Sequence, residues 1–221
     1  MIQQLSSVLA PAALTRLRAL AETLEFVDGR LTNPDSTVKR NEQVAHTDQR
    51  AAEAGLILRD ALIAHPQLSA LTWPRQIARP TLVRYQPGMT YGWHVDAAMF
   101  ASQPPMRSDI SCTVFISEPD EYAGGELEFE WGGDVRGYKL AAGDAILYPS
   151  TTIHRVAPVT HGVRLVGISW LQSFIADAHR RDLLNQVDEL RGLGGSEAQR
   201  ERAQVLLESV RTNLFRMWSD T

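Results

Sequence analysis

Ala145-Ile-Leu-Tyr-Pro149, followed by His154 and then by Arg164-Leu-Val-Gly-Ile-Ser-Trp170, decides the fold. Both runs are apolar, rich in β-branched and aromatic residues and no longer than a strand, and the first stops at a proline that cannot continue a sheet ladder. The pattern extends outward from there. Between about residues 76 and 173, short runs such as Ile110-Ser-Cys-Thr-Val-Phe-Ile116 alternate with glycine and proline turns, among them Trp131-Gly-Gly-Asp134 and Ala142-Gly-Asp144. Many short strands separated this way predict an antiparallel double-sheet jelly roll.

The flanks read differently. Pro11 at a first helical turn introduces an amphipathic helix whose Leu14, Leu17, Leu20, Ala21 and Leu24 share a face. Residues 28–38 are a loop by composition, 39–46 a strand, and Asp48 to Ala64 a helix ending before Pro66. Beyond Phe174 a second amphipathic stretch runs to Leu190, Gly192-Leu-Gly-Gly195 breaks it, and Ser196-Glu-Ala-Gln199 opens a last helix with a capping-box start. That helix carries Val205, Leu206, Val210, Leu214, Phe215 and Trp218, a stripe that either folds back or meets a second copy, so a homo-oligomer is expected. The expected class is therefore α+β: N-terminal helices and loop over 1–75, a double-stranded β-helix core over 76–174, and a C-terminal helical extension over 175–221.

Chemistry concentrates in the strand-rich part. In an extended chain, side chains at i and i+2 share a face, so His94 and Asp96 can hold neighbouring positions on one metal ion, with His154 as a third ligand. Two imidazoles and a carboxylate on one face of an octahedron leave the other face open, the arrangement of non-haem Fe(II) oxygenases. Arg164 follows His154 by ten residues (164 − 154), and a hairpin turning at Thr160-His161-Gly162 would set its guanidinium beside the metal as a fork for a carboxylate. His46, His65, His161 and His179 lack a paired ligand at a suitable spacing. Residues Ala97 to Ser108 read either as a lid over the open metal face or as a packed crossover, and the acidic Glu118 to Tyr122 as a solvated loop.

Composition excludes several classes. With 22 basic and 26 acidic residues among 221 and a formal charge of −4, no global basic field points to nucleic acid. The single cysteine, Cys112, lies in a strand-like run and forbids an intrachain disulfide. Neither a basic-then-apolar leader nor an apolar run of roughly 18 residues is present, so no membrane partner and a cytoplasmic setting are expected.

Taken in order, Tyr85-Gln-Pro-Gly88, His94-Val-Asp96, Gly124-Gly-Glu-Leu-Glu-Phe129, and Tyr148-Pro-Ser150 before His154 resemble the prolyl 4-hydroxylase-like Fe(II)/2-oxoglutarate dioxygenases, and more narrowly the bacterial PKHD-type hydroxylases, a group linked to iron uptake. The resemblance covers nearly the whole chain, including Lys39-Arg-Asn-Glu-Gln43. It implies that His94, Asp96 and His154 ligate Fe(II), that Arg164 binds the distal carboxylate of 2-oxoglutarate with help from Tyr85, and that dioxygen is consumed in hydroxylating a small-molecule or peptidyl substrate. Ascorbate is the reductant it implies. Phe115 stands where some relatives place a tyrosine near the co-substrate. Two other readings of the same residues are a zinc hydrolase, which leaves Arg164 without a task, and an iron- or oxo-acid-sensing protein without turnover.

Overall fold

The computed structural model describes residues 2–45, 47–102 and 104–218, apart from the side chains of Phe215 and Trp218; His46 lies outside the described residues. The chain forms two compact units, Met1–Phe174 and Ile175–Thr221. In the first, the strands up to the middle of the chain are β1 (Gln3–Leu5), β2 (Phe26–Asp28), β3 (Lys39–Arg40), β4 (Glu42–Val44), β5 (Pro74–Ile77), β6 (Thr81–Tyr85), β7 (Thr90–His94), β8 (Met99–Phe100) and β9 (Met106–Arg107). There follow β10 (Ile110–Phe115), β11 (Tyr122–Gly124), β12 (Leu127–Trp131), β13 (Asp134–Tyr138), β14 (Ala145–Pro149), β15 (His154–Val156), β16 (Val159–Gly162) and β17 (Arg164–Ser173). Helices α1 (Pro11–Thr23), α2 (Gln49–Ala64) and α3 (Pro66–Thr72) complete the unit.

The larger sheet runs β1-β14-β10-β17-β6-β4-β2 with β5 added to β17, and the smaller runs β13-β12-β15-β7-β3, all antiparallel. Side chains of both sheets meet in one buried cluster: Val83, Tyr85, Phe115, Ile146, Tyr148 and Val166 from the larger, Leu127, Phe129 and Val156 from the smaller. This is the predicted double-stranded β-helix. The opposite face of the larger sheet packs on the helices through Cys112, Val114, Leu165 and Leu171 against Leu17, Leu20, Leu58 and Leu62. Strand β10 is covered on both faces, and all six of its residues are buried. Each buried leucine contributes about 1.5–3 kcal/mol by removing its side chain from water. At Gly167 a Cβ would stand 2.7 Å from both Leu58 methyl carbons, so α2 lies against β17 where that strand has no side chain.

Two local readings need correction. The hairpin expected between the His154 and Arg164 strands does not form: β15 lies between β12 and β7 in the smaller sheet, and β17 between β10 and β6 in the larger. Thr160-His161-Gly162 is part of β16, paired with β11, so the chain crosses between sheets here instead of turning back. Strands β3 and β4 fall within the strand expected over 39–46, but the segment 1–75 also holds β1 and β2, three-residue pieces held by ladders at sheet edges and too short for any periodicity.

The second unit is a pair of helices, α4 (Ala178–Gly192) and α5 (Glu197–Trp218). Asp177 caps α4 by accepting from the Arg180 amide. Ser196 and Gln199 form the reciprocal bonds of a capping box before α5, and Arg202 pairs with Glu189 at 2.8 Å. Of the expected stripe on α5, Leu206 is buried while Val205 is exposed. Among the described residues no helix is long and apolar enough to cross a membrane.

Candidate active site

Strand pairing places the two histidines. His94 ends β7 and is the cross-strand partner of His154, which begins β15, so their imidazoles stand 4.2 Å apart between ring centres. The register is irregular: His154 pairs with His94 but Val156 with Tyr91, so three steps on β7 oppose two on β15. This bulge brings Tyr91 and His94 to one face, and the rings stack at 3.5 Å with an 11° tilt. Asp96 is not on the strand as the i, i+2 argument assumed. It lies two residues past the end of β7, with its amide bonded to the Ser150 carbonyl at 3.3 Å.

Side-chain hydrogen bonds orient all three groups. His94 Nδ1 meets the Gly92 carbonyl at 2.8 Å and His154 Nδ1 the Thr152 carbonyl at 2.9 Å, so in each ring Nδ1 carries the proton and Nε2 keeps its lone pair. Asp96 Oδ2 accepts from the Ser111 hydroxyl and, at 3.0 Å, from Trp170 Nε1. That leaves Asp96 Oδ1 facing the two imidazoles, 3.8 Å from His94 Nε2 and 3.9 Å from His154 Nε2. One ligand atom from each of the three residues lies within 4.8 Å of the others, a spacing that can hold one metal ion. Burial, and next the neighbouring His154 charge, lowers the His94 pKa to about 4, so this ring is neutral near pH 7 and able to bind a metal. Tyr148 places its hydroxyl 3.2 Å from His154 Nε2, and burial raises its pKa well above the ordinary value, keeping it protonated.

Behind Asp96 runs a chain of hydroxyls. Ser111 gives its one proton to Asp96, so Ser150 donates to Ser111 at 2.9 Å, and Ser108 in turn donates to Ser150 at 2.7 Å. The segment 97–108 is tied to this assembly at two points. Ser108 closes it, and Phe100 packs on Trp170 with ring centres 4.9 Å apart. Of this segment, Gln103 lies outside the described residues; Met106 is buried and Met99 exposed. The acidic loop is occupied structurally: Glu121 pairs with Arg18 at 2.7 Å and Glu118 accepts the Ala142 amide.

Arg164 opens β17 on the inner face of the larger sheet, opposite Tyr85 on β6. It is 1 % exposed, yet its Nε has no hydrogen-bond partner and no carboxylate pairs with it among the described residues. Aromatic rings surround it instead, with its Cζ 5.0 Å from the centre of Tyr85 and 5.7 Å from that of Phe115. The Tyr122 phenol also lies beside it, the cation opposing the rise in pKa that burial imposes. Tyr85 OH accepts from Asn41 Nδ2 at 2.8 Å and retains its own proton to donate. The guanidinium, beside the Tyr122 phenol, and the Tyr85 hydroxyl thus share a buried region in which no carboxylate meets them among the described residues.

Ser111, Trp170, Asn41 and Tyr91 were not assigned to the site from sequence. A signal existed for one pair: Ser111 and Thr113 alternate with apolar residues on a fully buried strand, so their hydroxyls had to face something polar. His161 is exposed on β16 and His179 exposed on α4, while His65 Nε2 bonds the Ser6 carbonyl at 3.2 Å.

Residues 80–172 match the 2OG-Fe(II) oxygenase superfamily. A PKHD-type hydroxylase of Sphingopyxis alaskensis is 40 % identical over 216 residues, which is 97 % of this chain and 98 % of that one. Among solved structures, a Trichoplax adhaerens prolyl hydroxylase in complex with a hypoxia inducible factor peptide fragment superposes with a TM-score of 0.60 at 15 % identity, covering 82 % of this chain and 86 % of that one. Streptomyces hygroscopicus HygX, solved with nickel, 2-oxoglutarate and hygromycin B, gives a TM-score of 0.53 at 14 % identity, covering 79 % and 84 %.

Proposed function

Because the chain belongs to the PKHD-type hydroxylases and is a 2-oxoglutarate-dependent Fe(II) dioxygenase, we propose that His94, Asp96 and His154 hold its iron and that Arg164 and Tyr85 hold the far carboxylate of 2-oxoglutarate. The donor set fits the ion. Both Nε2 lone pairs and one carboxylate oxygen converge, and backbone carbonyls, Ser111 and Trp170 fix the atoms that do not. Arg164 is the observation that carries the reading, since the triad alone would serve a zinc hydrolase equally well, whereas a sealed guanidinium without an anion calls for a carboxylate ligand.

Bound iron would supply the activation of dioxygen that couples decarboxylation of 2-oxoglutarate, giving succinate and CO2, to hydroxylation of a C–H bond. The remaining tasks fall to side chains. Arg164 forms a two-pronged bond to the carboxylate, and Tyr85, aligned by Asn41, adds a third donor. Phe115, Val166 and Tyr148 line the apolar space around it and keep out water. Ser111 and Trp170 hold Asp96 by one oxygen so that the other keeps a fixed direction through turnover. The test is reconstitution without oxygen: Fe(II) and 2-oxoglutarate produce a weak visible charge-transfer band, and admitting oxygen yields succinate. A folded, iron-loaded protein that shows no band would refute the co-substrate assignment. We place the enzyme in the cytoplasm, and propose that exposed Val205 on α5 meets a second copy, which light scattering at micromolar concentration checks.

A further inference from the structure

Lys39 is a second buried cation that lacks an anion. The chain has only two lysines, Lys39 and Lys139, among its 22 basic residues. Lys139 is only half-buried, and its Nζ donates to the Tyr122 carbonyl at 2.5 Å. Lys39, 8 % exposed, uses one of its three N–H donors among the described residues, toward Thr32 Oγ1 at 3.0 Å. The carboxylates whose charge it feels are engaged elsewhere: Asp96 by Ser111 and Trp170 on one oxygen with the other facing the two imidazoles, and Asp28 by Arg30 at 2.6 Å. Removing an ammonium from water is costly unless an ion partner compensates.

Its position ties it to the iron face. Lys39 is the cross-strand partner of Tyr91, its Nζ is 5.6 Å from that ring's centre, and Tyr91 in turn stacks on His94. Asn33 Nδ2 donates to Tyr91 OH at 3.3 Å, so the surroundings are rich in donors. Given the co-substrate site proposed above, on which this inference rests, 2-oxoglutarate has both its ends accounted for, one at Arg164 and one at the iron. Lys39 shares none of the neighbours named for Arg164, being flanked by Thr32 and Tyr91 where Arg164 is flanked by Tyr85 and Phe115. We propose that Lys39 is the anion subsite for the molecule that is hydroxylated, so that this substrate carries a carboxylate or phosphate a few bonds from the carbon presented to the iron.

The presence of only two lysines permits a test on the unaltered protein. Fe(II)-loaded enzyme without oxygen is treated with formaldehyde and cyanoborohydride, and methylation of Lys39 and Lys139 is followed by peptide mass spectrometry, with inorganic phosphate as the probe. Saturating 2-oxoglutarate should leave the Lys39 rate unchanged. Phosphate added on top of it, at ten times its dissociation constant, should slow Lys39 about tenfold by mass action and leave Lys139 alone. Lys39 protection by 2-oxoglutarate itself would overturn the subsite and assign the lysine to the co-substrate. No protection by phosphate, or equal protection of both lysines, would also overturn it. The charge-transfer band of the same sample reports separately whether 2-oxoglutarate is bound, so failure of the co-substrate site is recognised apart from failure at Lys39.

Discussion

Arg164 destabilises the barrel that holds it, because its charge is desolvated and no carboxylate answers it. Arg164→Met, close in length and apolar, should therefore leave the unfolding midpoint of the ligand-free protein unchanged or higher. The same change should raise the 2-oxoglutarate dissociation constant at least about thirtyfold, the equivalent of the roughly 2 kcal/mol lost when one partner of a buried charged pair is removed. Calorimetry on both forms checks the two directions together. Cys112 gives a second test, since burial pushes its thiol pKa up to about 12, leaving only about one thiolate in ten thousand at pH 8. Iodoacetamide should leave the native protein unmodified and add one label after denaturation, as read by intact mass. At this scale the sequence showed the residue types that metal and carboxylate chemistry require, and the fold brings His94, Asp96 and His154 to one spot. It could not show who holds them, because Trp170 and Asp96 are 74 positions apart and Asn41 and Tyr85 are 44 apart, and only the strand register joins them.

Elements convey the local geometry. His94 is locked by its ladder with β15, whereas Asp96, past the end of β7, depends on side chains from β10 and β17 for its direction. Trp170→Phe keeps an aromatic side chain but removes the N–H, so it should weaken Fe(II) or Co(II) binding about 10- to 100-fold, the usual effect of losing a group that orients a metal ligand. Competition against a chelator measures this, and an unchanged affinity would show that Ser111 suffices. Phe100→Ala should produce a smaller loss in the same direction, because the β8–β9 ribbon touches Trp170 only by packing. Strand identity was readable from composition for β7, β10, β14 and β17, and helix identity from periodicity for α1, α2, α4 and α5, whereas α3 and the short pieces β8, β9 and β11 carry no such pattern. The crossing from β15 to β17 was not, since Thr160-His161-Gly162 has turn composition but makes ladder bonds with β11, a partner about forty residues earlier.

For the molecule as a whole, ligand binding and stability are linked. Iron, and then 2-oxoglutarate on the iron-loaded protein, should each add about 2.7 kcal/mol to the unfolding free energy at about a hundred times its dissociation constant. Hydrogen exchange should localise the gain to β6, β7, β15 and β17, which carry the proposed ligands, while amides of α4 and α5 exchange unchanged. The edge of the smaller sheet has a different consequence. Among the described residues β13 pairs only with β12, at a hairpin whose Gly132 and Gly133 take positive φ, and its first four residues are exposed. An outer strand of this kind offers a row of unsatisfied amides and carbonyls on which a neighbouring molecule could template a ladder. Asp134 and Arg136 place opposite charges along that row and Gly137 interrupts its β-propensity, so stacking copies edge to edge must desolvate charge before it forms a single new bond. Exchanging both charged residues for valine should leave turnover intact yet shorten the lag before turbidity appears in concentrated solution, which would make this rim, remote from any chemistry, the feature that keeps the enzyme from aggregating in a crowded cell.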